Sequence, residues 1–316
     1  MRHSLTKILV LLVVRLLYST TEMSEQPHSS LKIAEALNES TALLHAAGIT
    51  DNARPDARTL LSHTLQRDHA FLIAHSDEEI APATLTLFRV LVARRAAGEP
   101  VQYITGRQEF YGLDFEVTPA VLIPRPETEL LVETALELLR ETRAASPLIC
   151  DVGTGSGCIP VALLHERRDA RAIGLDISPT ALDVAARNAA RHGVGARLTL
   201  LLSDCFDALD ARAAPFTLIT SNPPYIAERD IAHLQREVRE HEPRIALTPG
   251  GDGLSVIRRL IRDAPRFLDA GGHLLMEIGY DQHEAVASLV DENIWTMLDT
   301  RRDLQGIPRA IVLRRK

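Results

Sequence analysis

Asn222-Pro223-Pro224-Tyr225 puts a side-chain amide, a proline carbonyl and an aromatic ring directly after an apolar, strand-like run, Phe216-Thr217-Leu218-Ile219-Thr220. Consecutive prolines fix their own φ and restrict the residue before each, so the loop is stiff and its polar groups keep their aim. That suits a planar nitrogen with two N–H groups, as in an amide or a nucleobase amino group. Asn-Pro and Pro-Pro are also ordinary turn dipeptides. Taken alone, these four residues fit a turn as well as a site.

A glycine loop upstream shifts the balance. Asp151-Val152-Gly153-Thr154-Gly155-Ser156-Gly157 stands where an apolar run would turn into a helix, and glycines let a backbone turn tightly and approach a ligand closely. The spacing is Gly-x-Gly-x-Gly, not the Gly-x-Gly-x-x-Gly of dinucleotide binders, so no pyrophosphate cradle is implied. Asp176 closes the next apolar run, and a carboxylate about 20 residues past such a loop can accept from both ribose hydroxyls. Asp151 supplies negative charge nearby. Together these features suit a nucleoside with a short cationic arm, a description that fits S-adenosylmethionine. Ser203-Asp204-Cys205 ends a third apolar run. There Asp204 can accept from an adenine amino group and Cys205 can pack on the ring, although spacing alone serves a loop-capping aspartate almost as well. Nothing nearby in sequence would activate Cys205 as a nucleophile.

The elements that must position these groups follow from periodicity. Candidate strands are Leu148–Val152, Ala172–Ile177, Leu198–Leu202, Phe216–Ser221 and His273–Ile278, then Ile294–Leu298 and Ala310–Leu313, with helical patterns between most of them. Such alternation predicts an α/β, doubly wound, mainly parallel sheet that binds ligands at the carboxyl ends of its strands. The last two strands lack a long helix between them and suit antiparallel pairing. Residues 23–98 read as a small helical bundle with starts near Ser29, Pro55 and Pro82 and stops at Gly48 and Gly98. His63, His69 and His75 lie there without any clustered chemistry. Residues 99–125 carry glycines and aromatics between short β-prone runs, Tyr103–Gly106 and Phe110–Phe115, as in a hairpin linker. Residues 126–316 form the sheet domain; Pro126 suits the first turn of its opening helix, where Glu127 and Glu129 favour the dipole.

Composition narrows the partners. The chain has 316 residues and a formal net charge of -7, with no basic stripe of the kind a duplex-DNA binder shows. Its three cysteines form no Cys-x-x-Cys pair, so neither a disulfide framework nor a metal site is expected, and a reducing cytoplasm fits. Residues 1–22 contain an apolar run too short to span a bilayer and interrupted by Arg15. They read as an extension outside the fold, with Met23 opening the working protein and no membrane involved.

The loop at Asp151–Gly157, Asp176 and Asn222–Tyr225 together resemble the class I S-adenosylmethionine-dependent methyltransferases, in which Asn-Pro-Pro-Tyr marks methylation of planar nitrogen. Glu99–Gly106, Glu109–Gly112, Leu122–Glu129, Glu242-Pro243, Gly250–Leu254, Glu277–Gly279 and Asp303–Arg309 are similar to the peptide chain release factor glutamine methyltransferases. That resemblance implies an N-terminal helical domain, a β-hairpin linker and a Rossmann-like methyltransferase domain. It implies methyl transfer to the glutamine of a Gly-Gly-Gln motif in bacterial-type release factors, giving N5-methylglutamine. It assigns cofactor contacts to Gly153, Thr154, Gly155, Ser156, Gly157, Asp176, Asp204, Cys205 and Asn222. Substrate contacts fall to Asn222, Pro223, Pro224 and Tyr225, with Asn222, Pro223 and Tyr225 carrying catalysis and Tyr225 packing on the substrate amide. Where the family often has an aromatic on the adenine, this chain has Cys205. A nucleic-acid adenine N6-methyltransferase is the alternative that the same four residues would serve, with Tyr225 stacked on a flipped base.

Overall fold

The computed structural model describes residues 30–142, 144–210 and 215–316. The expected extension over residues 1–22 lies outside them. Two compact units divide the chain, the first ending at Thr105 and the second running from Gly106 to Lys316.

The first unit is helical. A two-residue ribbon, β1 (Leu31–Lys32) with β2 (Glu79–Ile80), accompanies helices α1 (Ile33–Ala46), α2 (Ala53–Leu65), α3 (His69–Ala74), α4 (Pro82–Ala96) and α5 (Val101–Thr105). Residues three and four apart share a helix face, and here Ile33, Leu37 and Leu44 meet Leu60, Leu61, Phe88 and Val92 in one core. Arg95 of α4 reaches Asp56 of α2 at 2.6 Å, both buried. Removing either would strand a buried charge, a loss of about 3–5 kcal/mol. The Tyr103–Gly106 run, expected to be extended, is largely the helix α5. Tyr103 and Ile104 both donate backbone N–H bonds to the Pro100 carbonyl and become buried in that turn. Burial of the two side chains outweighs the weak strand preference of Tyr, Ile and Thr.

The second unit opens with the hairpin β3 (Arg107–Phe110) and β4 (Leu113–Glu116). Its two-residue turn holds Tyr111 at φ 53° and Gly112 at φ 72°, the mirror turn that matches strand twist. Tyr111 tolerates the left-handed region because its N–H donates to Glu129 Oε1 at 2.9 Å and its ring packs on the core. Glu129 therefore ties the turn down as well as sitting in the first turn of α6 (Glu129–Glu141). Then come β5 (Leu148–Val152), α7 (Cys158–Glu166), β6 (Arg171–Asp176), α8 (Pro179–Arg191), β7 (Leu198–Leu202) and β8 (Phe216–Ser221). Short helices α9 (Arg236–His241) and α10 (Arg244–Leu247) precede α11 (Ser255–Asp263), β9 (Leu268–Glu277), α12 (His283–Ala287), β10 (Trp295–Met297), β11 (Arg301–Arg302) and β12 (Pro308–Arg315).

Strands align in the order β10-β12-β9-β8-β5-β6-β7, with β11 beside β12. The five from β5 to β9 run parallel, and β12 pairs antiparallel with both β9 and β10. Alternating strand residues face opposite sides. Ile149, Leu218 and Leu275 enter a core with α6 and α7, while Cys150, Val152, Ile219 and Met276 enter the other with α11. The chain leaves β5 for β6 and β7, then returns to pair β8 on the opposite side of β5. Val152 lies opposite Ser221, so the glycine loop and the Asn222 loop begin side by side at this switch point, where open α/β sheets bind ligands.

Candidate active site

A cavity of about 450 Å³ opens over these strand ends, within the range of small-ligand sites. The glycine loop forms its floor. Gly153 N and Thr154 N both donate to the Leu175 carbonyl, and Gly155 N donates to Asp176 Oδ2 at 2.8 Å. Gly153 and Gly155 sit at φ 75° and 53°. A Cβ at Gly153 would meet nothing within 4 Å, and one at Gly155 only Gly153 O at 4.0 Å, so the backbone there is open to a ligand. Gly157 differs. It is not among the cavity-lining residues, and a Cβ on it would come within 3.1 Å of Ala185 Cβ. Gly157 lets α7 and α8 pack closely.

Buried and half-buried polar groups surround the loop: Thr154, Ser156 and Asp176 line the cavity, and Asp151 lies behind it. Asp151 is 1% exposed, and burial raises its pKa to about 6 against the Thr220 hydroxyl that donates to it at 2.8 Å. Asp151 Oδ2 and Thr154 Oγ1 are buried and make no hydrogen bond within the described protein. Ser156 is buried, and its carbonyl accepts from Asn188 Nδ2 at 2.9 Å. Asn188 also holds Glu116 N and O of the hairpin, fastening β4 to the glycine loop. Asp176 ends β6 half-buried, with its pKa raised by burial. It accepts from Gly155 N and Ser178 N, which leaves acceptor capacity on a carboxylate with about four lone-pair sites.

The loop after β7 forms one wall. Asp204 Oδ1 pairs with Arg259 of α11 at 2.8 Å, and Arg259 also holds Asp207. Cys205 takes φ 46°, with its carbonyl accepting from the Ser203 hydroxyl at 2.8 Å. Burial pushes the Cys205 thiol up to about 11, which keeps it neutral and unreactive. Beside the cavity-lining Pro243, Glu242 is buried, holds Arg125 and accepts from Ile123 N. That clasp ties residues 123–125 to the segment opening at Glu242, and Arg125 and Pro243 both line the cavity.

Asn222, Pro223 and Pro224 line the cavity beside Val152 and Gly153. Asn222 Nδ2 donates to Thr128 Oγ1 at 3.0 Å, and Thr128 donates to Glu277 Oε2 at 2.7 Å. Tyr225 is not among the lining residues. Its ring packs on the core and its hydroxyl donates to Glu277 Oε1 at 3.2 Å. Burial raises the Tyr225 pKa, with Glu277 adding to the effect. Glu277 is 2% exposed, and burial lifts its carboxyl to about 7 against the hydroxyls of Thr128 and Tyr225. Sequence reasoning assigned no role to Thr128, Glu277, Arg259 or Glu242. The available signal was a charged residue closing the apolar run Leu274-Leu275-Met276.

The chain matches two family models: PrmC N-terminal domain over residues 35–106 and methyltransferase domain over 149–251. A release factor glutamine methyltransferase of Nitratidesulfovibrio vulgaris is 46% identical over 274 residues, covering 86% of this chain and 91% of that protein. One from Cereibacter sphaeroides is 46% identical over 286 residues, covering 90% and 99%. The solved hMettl16 catalytic domain in complex with MAT2A 3'UTR hairpin 6 is 16% identical, with a TM-score of 0.51 over 72% of this chain and 81% of that one, a likeness of fold.

Proposed function

The chain belongs to the release factor glutamine methyltransferases, and we propose that the residues described above perform that reaction. The enzyme transfers a methyl group from S-adenosylmethionine to the side-chain amide nitrogen of the glutamine in a release factor's Gly-Gly-Gln motif. The donor set fits the cofactor. Open backbone at Gly153 and Gly155, the cavity-lining Thr154, spare acceptor capacity on Asp176 and the buried carboxyl of Asp151 behind the loop suit a nucleoside with a cationic arm. When bound, S-adenosylmethionine supplies a methyl group activated by its sulfonium charge.

The protein's own task is to present a poor nucleophile. An amide nitrogen shares its lone pair with the carbonyl. Asn222 Oδ1 accepts one substrate N–H and the Pro223 carbonyl accepts the other. Two fixed acceptors hold the nitrogen in line and favour the positive charge that grows on it, which is positioning with electrostatic preorganisation. Asp176 accepts from the ribose hydroxyls, Asp204 lies at the adenine end and Cys205 packs beside it. Tyr225 steadies the loop through Glu277. Gly157 serves the loop indirectly by seating α7. One observation carries this reading: Asn222 Nδ2 is held by Thr128 inside the cavity wall, which leaves Oδ1 for the substrate.

Residues 23–98 act as a docking module for the intact release factor, raising specificity through a second, linked contact. The cytoplasm is the proposed compartment. Among the described residues no helix is long and apolar enough to cross a membrane.

The test supplies labelled cofactor with either release factor or DNA. Asn222→Ala should keep cofactor affinity in calorimetry and lower turnover on release factor by about 10²–10³. Methylation of adenine in DNA with release factor ignored would replace the substrate assignment. Full activity of Asn222→Ala would move the grip to another group.

A further inference from the structure

Three side chains from separate segments stand behind the Asn222 amide: Thr128 just before α6, Glu277 at the end of β9, and Tyr225 three residues past Asn222. With Glu277 ionised, as it is above its raised pKa of about 7, their donors and acceptors permit one arrangement. An ionised carboxylate only accepts, so the 2.7 Å contact requires Thr128 to donate its proton to Glu277 Oε2. A hydroxyl has one proton to give. Having given it, Thr128 Oγ1 can only accept from Asn222, 3.0 Å away. Asn222 must then turn Nδ2 to Thr128 and Oδ1 away from it. Tyr225 donates to Glu277 Oε1, so both carboxylate oxygens are engaged by hydroxyls.

We propose that Thr128 and Glu277 are positioning residues that set which end of the Asn222 amide meets the substrate. The two ends of an amide have nearly the same shape, so packing alone does not choose between them. A flipped Asn222 would point N–H at the N–H of the substrate glutamine and lose the grip. The carboxylate at the far end of the chain enforces the choice through one hydroxyl. This also explains a charged residue at a buried strand end, where an apolar residue would be less costly. The inference rests on the reading of Asn222 Oδ1 as a substrate acceptor.

Thr128→Val keeps the shape and removes the hydroxyl; Thr128→Ser keeps the hydroxyl. Turnover of release factor, KM for release factor and cofactor affinity by calorimetry are measured for both, for Asn222→Ala and for the double variant Thr128→Val with Asn222→Ala. Thr128→Val should lower kcat about ten- to a hundred-fold with cofactor affinity within about twofold, which also reports an intact fold. Thr128→Ser should recover most of the loss. The double variant should be no slower than Asn222→Ala alone, because residues acting through one another do not multiply their effects. Full activity in Thr128→Val, no recovery with Ser, or effects that multiply in the double variant would each overturn the proposal while leaving Asn222 in place. Wild-type turnover in Asn222→Ala would instead remove the underlying reading.

Discussion

Replacing Glu277 with glutamine should make the second unit more stable at pH 8 while leaving it little changed at pH 4. The Glu277 carboxyl is buried, and its pKa is raised from 4.5 to about 7 by loss of water. The folded protein therefore holds this proton more tightly than the unfolded chain does. Its contribution to stability is fully present below pH 4.5 and is lost as the pH rises through 7, when the buried group ionises. A shift of about 2.5 units is worth roughly 3 kcal/mol at 1.36 kcal/mol per unit. Glutamine has no proton to lose, so the stability of wild type relative to Glu277→Gln should fall by about 3 kcal/mol from pH 4 to pH 8. Asp151 also titrates with a raised pKa, but it is common to both proteins and cancels in the difference. The assay is urea unfolding followed by fluorescence of Trp295, the chain's single tryptophan, which is 2% exposed in the second unit. With a slope of roughly 2 kcal/mol per molar urea, the midpoint difference should move by about 1.5 M. A difference that stays constant across this range would refute the account, because it would mean that burial does not restrain ionisation of Glu277. Such a charge, costly to stability and useful to the site, belongs to a familiar class of functional strain.

The two kinds of glycine in the loop should separate experimentally. Gly155→Val should abolish cofactor binding in calorimetry yet leave the protein folded, since a Cβ there meets little but must adopt φ 53° beside the ligand. Gly157→Ala should instead lower stability by about 1–3 kcal/mol in thermal unfolding, because its Cβ would press on Ala185. Deleting residues up to about Gly98 should spare cofactor binding and severely weaken methylation of intact release factor. Short Gly-Gly-Gln peptides should be poor substrates of the full chain, and equal rates for peptide and whole factor would refute the docking role. A chain starting at Met23 should be folded and fully active, and mass spectrometry of the native N-terminus should find that start.

The sequence alone determined the pieces whose meaning is local. Gly153 and Gly155 need positive φ and Pro223-Pro224 stiffens its own loop, so a reader of the chain can see both features without knowing the neighbours. The strands β5 and β8 were legible for the same reason, since an apolar run between turn residues carries its own period. The Tyr103–Gly106 run was misjudged because Tyr, Ile and Thr favour strands only weakly, and burial of Tyr103 and Ile104 outweighed that preference. Tertiary structure decided the rest. The glycine loop and Asn222 meet because the chain reverses its winding at β5, a fact of strand order that no short window contains. Tyr225 reaches Glu277 rather than the cavity, and Thr128 joins Asn222 to that same carboxylate. A hydrogen bond depends on separation in space, and these partners lie on segments brought together only when β8 and β9 pair beside the start of α6. The types of atom needed to hold a planar nitrogen were written in order along the chain; the direction in which Asn222 presents them was set by the fold.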